Sequence, residues 1–317
     1  MRIIVTGGLG FIGIALSRQL LGRDDVDSLV LFDAPGAADP PPDIVGRVEI
    51  VRGDIRDSGL VRGLLEGEVV GVFHLASIVS AQGEQDFDLA LGVNLDGARN
   101  VLDACRALGS RPRLVFASTL AAFGGEEMPE TVGDTTKLTP QTTYGTTKAI
   151  CELLVNDYTR KGFLDGRTAR LPTVIIRPGA ANPAASAFAS AVFREPLADR
   201  NYVLPVRPET RMPVIGVRTA VECLIRLCEC DGEAFGDDRS LNLPSISVTV
   251  AEMIDSLRRV AGDRATGAIE IRPDPEIERI VSTWPLHASA ERARALGLPQ
   301  DRGLDDIVSA YLEEILA

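Results

Sequence analysis

Ile3-Ile4-Val5-Thr6-Gly7-Gly8-Leu9-Gly10-Phe11-Ile12-Gly13 decides how the rest of the chain reads. A short apolar run of buried-strand type ends in a glycine turn, and the pattern from 11 to 21 continues with helical spacing. In such a turn Gly7 permits the tight bend, Gly10 lets backbone approach a pyrophosphate, and Gly13 lets helix and strand pack closely. The backbone N–H groups that open the helix, at Phe11 and Ile12, suit an anion. The spacing is Gly-x-x-Gly-x-x-Gly, one residue wider than the commoner dinucleotide fingerprint. Its position between strand and helix makes it a dinucleotide signature rather than a flexible loop. Arg2 precedes the apolar run, but Thr6 and the glycines cut it, so it does not read as a signal peptide.

Outward from this turn, apolar runs at 28–32, 48–52, 71–75, 113–117 and 173–177 alternate with helical patterns, the clearest at 87–108 and 144–161. Strands and helices alternating at this pitch predict an α/β protein with a Rossmann-type doubly wound parallel sheet. The rhythm changes near residue 178, where no linker, repeat or charge block intervenes. Residues 1–178 are therefore read as the dinucleotide-binding domain, and 179–317 mainly as a smaller C-terminal substrate-binding lobe, with some segments returning to the core. In the second part, helices are expected at 184–194, 250–260, 289–296 and 304–316, with short strands at 240–243 and 268–271. Val217, Ala220, Val221, Leu224 and Leu227 form a further helical stripe.

Composition excludes several classes. Of 317 residues, 45% are hydrophobic and 25% charged, ordinary for a globular enzyme. Lys and Arg total 33 against 45 Asp and Glu, a formal charge of −12. That surface lacks the basic face that nucleic-acid binding needs, so no nucleic-acid partner is expected. No apolar stretch has the length of a membrane span. Cys105, Cys151, Cys223, Cys228 and Cys230 are an odd number with neither a framework spacing nor a Cys-x-x-Cys pair. They read as packed thiols rather than metal ligands, which implies a reducing, cytoplasmic compartment and no metal.

Asp33 ends the second predicted strand, twenty residues after Gly13. A carboxylate there accepts hydrogen bonds from ribose hydroxyls and repels a 2′-phosphate, and Ala34-Pro35-Gly36 offers no cation for one, so NAD is favoured. Asp54-Ile55, after the third strand, is placed to meet the adenine edge; Asp57 suits a helix cap instead. Leu75-Ala76-Ser77 borders the cofactor path, with His74 beside it as a packed, hydrogen-bonded residue. Tyr144 and Lys148, four apart in a helical pattern, share one face about a turn apart. A free tyrosine has a pKa near 10, so its use as a base near pH 7 needs about 4 kcal/mol of differential stabilisation. A neighbouring ammonium and a positive nicotinamide ring both supply it.

The glycine turn, Ala117-Ser118-Thr119 and Tyr144-x-x-x-Lys148 together resemble an extended short-chain dehydrogenase/reductase of the NAD-dependent epimerase/dehydratase type, along the whole chain. The resemblance implies that Tyr144 exchanges the proton, that Lys148 binds the nicotinamide ribose, and that Thr119, or Ser118 in its place, bonds the reacting oxygen. It extends the cofactor contacts to Asn94, Arg177 and Pro178, although Arg177, ending a strand, also suits a purely structural role. Longer segments, from Leu138-Thr139-Pro140-Gln141-Thr142-Thr143 through Glu152-Leu153-Leu154-Val155-Asn156-Asp157-Tyr158 to Arg170-Leu171-Pro172-Thr173 and Asn242-Leu243-Pro244, look like the D-erythronate dehydrogenase branch. That branch implies NAD-dependent oxidation of the C2 hydroxyl of a four-carbon sugar acid, in a homodimer paired through the helices at 87–108 and 144–161. For this small anionic substrate, Ser77, Ser80, Thr119 and Tyr144 are expected near the reacting carbon, with Asn182, Ser186, Arg207 and Arg211 from the lobe around its carboxylate. Two alternatives stay open: a sugar-nucleotide epimerase or dehydratase with the same Tyr and Lys, and a non-catalytic dinucleotide-sensing regulator.

Overall fold

The computed structural model describes residues 1–179 and 184–316. Seven strands, β1 (Arg2–Thr6), β2 (Ser28–Asp33), β3 (Glu49–Arg52), β4 (Val69–His74), β5 (Arg113–Thr119), β6 (Asp165–Leu171) and β7 (Ser240–Asn242), form one sheet in the order β7-β6-β5-β4-β1-β2-β3. Every pairing is parallel. The order reverses between β1 and β4, and at such a switch point the carboxyl ends of the strands leave a crevice for ligand.

Alternation along the strands buries both faces, as parallel sheets require. Ile3, Val5, Leu31 and Phe73 meet Leu16 and Leu20 of helix α1 (Phe11–Leu21), together with Val221 and Leu224 of a later helix, Val217–Glu229. On the opposite face Ile4, Val30, Val72 and Leu114 meet Val101 and Cys105 of α2 (Gly97–Leu108), and Cys151 and Val155 of α3 (Thr143–Arg160). Among the described residues no helix is long and apolar enough to cross a membrane.

Two sequence expectations need correction. The strand expected at 173–177 is not the sheet's sixth. That place belongs to β6, whose Arg167, Thr168 and Arg170 hide it from an apolar pattern. Their charges are met inside: Arg167 bonds the Asp165 carboxylate and the Cys230 carbonyl, and Arg170 grips Glu152. After Pro172, Thr173–Ile175 leaves the main sheet and pairs with Arg211–Gly216, which also pairs with Ile246–Thr249. The run at 240–243 joins the main sheet, where Ser240 to Asn242 pair with Thr168 to Arg170 at the sheet edge. Finally, the long helix at 87–108 is interrupted by a π-helical turn, Leu91–Asp96. The lobe has its own core, in which Phe188, Phe193, Met212, Val214, Met253 and Val308 pack together.

Candidate active site

The cleft lies over the carboxyl ends of β1, β4 and β5, and lobe residues close its far side. Its floor is the glycine turn. Gly7 has φ +70°, and a Cβ there would stand 2.7 Å from the Ala76 backbone nitrogen. A Cβ on Gly13 would stand 2.5 Å from the Gly7 carbonyl oxygen. The first helical bond of α1 runs from Ile14 N–H to Gly10 O at 2.9 Å, so Phe11, Ile12 and Gly13 present their N–H groups at the cleft. With the helix dipole behind them they make an anion cradle.

Asp33 is held at the turn's edge. Its Oδ2 accepts from Leu9 N–H and its Oδ1 from Ala34 N–H, both at 2.8 Å. The carboxylate keeps further lone pairs for a diol, as a ribose offers. Asp54 is different: Arg56 grips it through Nε and Nη2, which holds its carboxyl below the usual range. Ile55 is buried against Gly97, and Asp57 caps the helix Ser58–Leu64. Leu75 and Ser77 line the cleft. Asn94 does not. It is buried on the π-helical turn, accepts from Ile78 N–H at 2.7 Å and from Ser77 Oγ at 3.1 Å, and donates to Thr147 Oγ1 at 3.2 Å. It thus ties the Ser77 loop to α3. A π-turn at such a junction is a common mark of a functional site.

Helix α3 begins where Thr142 Oγ1 accepts from Gly145 N–H at 3.0 Å. This presents Tyr144 and Lys148 to the cleft together. Lys148 is buried, donates to the Ala117 carbonyl at 2.8 Å, and lies 5.7 Å from the Tyr144 ring centre. Burial lowers its pKa to about 8, against the opposing pull of Cys151 and Glu152. Desolvation also raises the Tyr144 phenol above its ordinary value, and the neighbouring Thr119 hydroxyl pulls the other way. Ser118 is buried, and its hydroxyl donates to Glu152. Glu152 is in turn gripped by Arg170, whose Nη1 donates to the Asp134 carbonyl. Thr119, not Ser118, therefore offers its hydroxyl beside Tyr144. His74 stacks on Phe116, and its Nδ1 meets Thr6 Oγ1 at 2.6 Å.

Ser80 and Ser186 line the cleft, as do Arg177, Ser190, Arg194 and Trp284, while exposed Pro178 does not. Asn182 lies outside the described residues. The two arginines expected at the carboxylate do not line this cleft. Exposed Arg207 reaches Glu278 at 3.4 Å, and Arg211 donates to the Ser247 carbonyl at 3.1 Å. Neither lines the cleft, whereas Met212 and Pro213 of the strand Arg211–Gly216 do. Sequence reasoning also passed over Glu152, Arg170 and Arg194. Glu152 had a signal, standing one turn beyond Lys148 on the same face.

Comparison with known proteins agrees with this geometry. The NAD dependent epimerase/dehydratase family matches residues 3–235. D-erythronate dehydrogenase of Cupriavidus necator is 44% identical, over 99% of this chain and 98% of that protein. The enzyme of the same name from Haemophilus influenzae is 40% identical over 99% of both. A crystal structure described as the nucleoside-diphosphate-sugar epimerase from Agrobacterium tumefaciens superposes with a TM-score of 0.90 at 38% identity, covering 100% of this chain and 94% of that one. The glycine cradle, the ribose-ready Asp33 and the Tyr144–Lys148 pair fit NAD, the cofactor of that family. The chain belongs to the NAD dependent epimerase/dehydratase family.

Proposed function

We propose that the protein oxidises the C2 hydroxyl of D-erythronate to 2-dehydro-D-erythronate with NAD. The observation that carries this reading is the 44% identity to a D-erythronate dehydrogenase across essentially the whole of both chains. The side chains that chemistry needs, Thr119, Tyr144 and Lys148, share one cleft. Gly7, Gly10, Phe11, Ile12, Gly13 and Asp33 are the residues that hold the dinucleotide, with Leu75 and Ser77 on its path. NAD, when bound, supplies the hydride acceptor.

The chain's own work is binding and proton transfer. Thr119 Oγ1 and the Tyr144 phenolic oxygen receive the substrate hydroxyl between them. Tyr144, as tyrosinate, takes its proton while the C2 hydrogen leaves as hydride. Since burial raises the phenol's pKa, the nearby Lys148 ammonium must offset it, and Ala117 O holds that ammonium in reach. The buried Glu152–Arg170 pair fixes Ser118 and the middle of α3 behind these groups.

Residues 1–178 act as the NAD-binding domain and 179–317 mainly as the substrate lobe, which contributes Ser186, Arg194 and Trp284 to the cleft. We infer a homodimer paired through α3. In support, Leu153 is 68% exposed and Ile150, three residues before it on the same helix, is 38% exposed. The unpaired cysteines favour a reducing, cytoplasmic setting.

The similarity to a nucleoside-diphosphate-sugar epimerase favours a second reading, in which NAD is reduced and reoxidised within one turnover. The two separate on net NADH. Purified protein with NAD and a panel of four-carbon acids should produce NADH from D-erythronate, and Tyr144→Phe should lower kcat by about 10²- to 10⁴-fold while NAD affinity holds. Turnover of a nucleotide sugar with no net NADH would favour the epimerase.

A further inference from the structure

Two guanidinium groups in the cleft are left without roles by the proton relay. Arg177 leaves the strand Thr173–Ile175, and its N–H donates to Ser190 Oγ at 3.0 Å. Its half-buried side chain meets no carboxylate among the described residues, although acidic residues outnumber basic ones in this chain. Burial and the charge of Arg194 both press on it. Arg194 is only 4% exposed; its Nε meets Glu195 at 2.7 Å and its Nη1 donates to the Arg177 carbonyl at 3.0 Å. Its Nη2 is buried with no partner among the described residues. A buried donor left unmade is costly, as is a desolvated cation without a counter-charge. Both costs vanish if an anion enters here.

We propose that Arg177, backed by the unpartnered Nη2 of Arg194, is the receptor for the substrate's carboxylate. This rests on the sugar-acid reading above and deepens it, moving the acid's partner from Arg207 and Arg211 to the cleft wall. A planar carboxylate matches a guanidinium fork bidentately, which a sugar hydroxyl does not. Arg194, already neutralised by Glu195 and tied to the Arg177 carbonyl, holds Arg177 in place and adds one donor. The site therefore selects a short hydroxy acid over the corresponding polyol.

The test uses Arg177→Leu and Arg177→Lys in the full protein, with thermal melts to confirm folding. Arg177→Leu is expected to raise the KM for D-erythronate by about 10- to 100-fold, the value of one charge-assisted contact. The dissociation constant for NADH should stay within about twofold, and Arg177→Lys should recover part of the loss. The preference for D-erythronate over erythritol, its uncharged counterpart, should collapse in Arg177→Leu. An unchanged KM, or an NADH affinity that weakens in step with it, would overturn the assignment, the latter by giving Arg177 to the dinucleotide. Binding of D-erythronate to the protein–NADH complex separates this outcome from a wrong reaction. If wild type fails to turn the acid over yet binds it saturably, and Arg177→Leu does not, the receptor stands and the reaction falls. Equal binding by both proteins, or by neither, refutes the receptor.

Discussion

Lys148 shows how the site trades stability for chemistry. Its ammonium is buried beneath Tyr144, and its pKa falls from 10.5 to about 8. Below pH 8 the lysine is charged in both folded and unfolded chains, and the folded one bears the desolvation. Between 8 and 10.5 the unfolded chain still holds the proton that the folded one has lost, so stability rises with pH there. Lys148→Met should therefore be more stable than wild type below pH 8, by up to about 3 kcal/mol, with the gap closing toward pH 10.5. Urea denaturation across that range checks it, and turnover should be lost throughout. His74 works in the opposite region. Burial lowers its pKa from 6.5 to about 3, so its neutral form contributes stability above pH 6.5 that is lost as pH falls through 3. His74→Gln should flatten the acid side of the stability curve. The two hydroxyls of Ser118-Thr119 should also part company. On the proposed mechanism Thr119→Val removes the hydroxyl beside Tyr144 and should lower kcat by about 10²-fold. Ser118→Ala empties a buried bond to Glu152, and should lower the melting temperature more than it lowers kcat.

At the scale of elements, the junction of β1 and α1 was legible because glycine is dictated there by steric contact rather than by preference. Gly13→Ala would place a methyl group 2.5 Å from the Gly7 carbonyl oxygen, so the helix start must move off the turn. The expected result is a loss of NADH binding larger than the loss of thermal stability, read by NADH fluorescence titration beside a melt. Tyr144, Lys148 and Asp33 were legible for a similar reason: their spacing is set by helix and strand geometry. Strand β6 was not, because a buried strand carrying Arg167 and Arg170 is polar in sequence and apolar only in its pairing, through Asp165 and Glu152. Arg194 was equally hidden, and Arg177 was legible only as a cofactor contact or a structural residue. Nothing local in the sequence separates an arginine facing a cleft from one like Arg207 on the surface.

For the whole molecule, the chain crosses back after residue 178. Val217–Glu229 and β7 complete the nucleotide-binding sheet, while Thr173–Ile175 begins the lobe's own sheet. The two parts of the chain are thus braided, and Arg194 and Trp284 reach the same cleft as Tyr144. Pairing through α3 would cover Ile150 and Leu153; Leu153→Asp should convert a dimer to a monomer by light scattering, and a wild-type monomer would refute the inferred assembly. The central claim is that the hydride leaves C2 of the acid while Tyr144 takes the hydroxyl proton. The most direct measurement supplies D-erythronate deuterated at C2 and weighs the reduced cofactor. The account predicts NADH one mass unit heavier, formed at a rate that falls with Tyr144→Phe. Unlabelled NADH, or deuterium kept in the product, would contradict it.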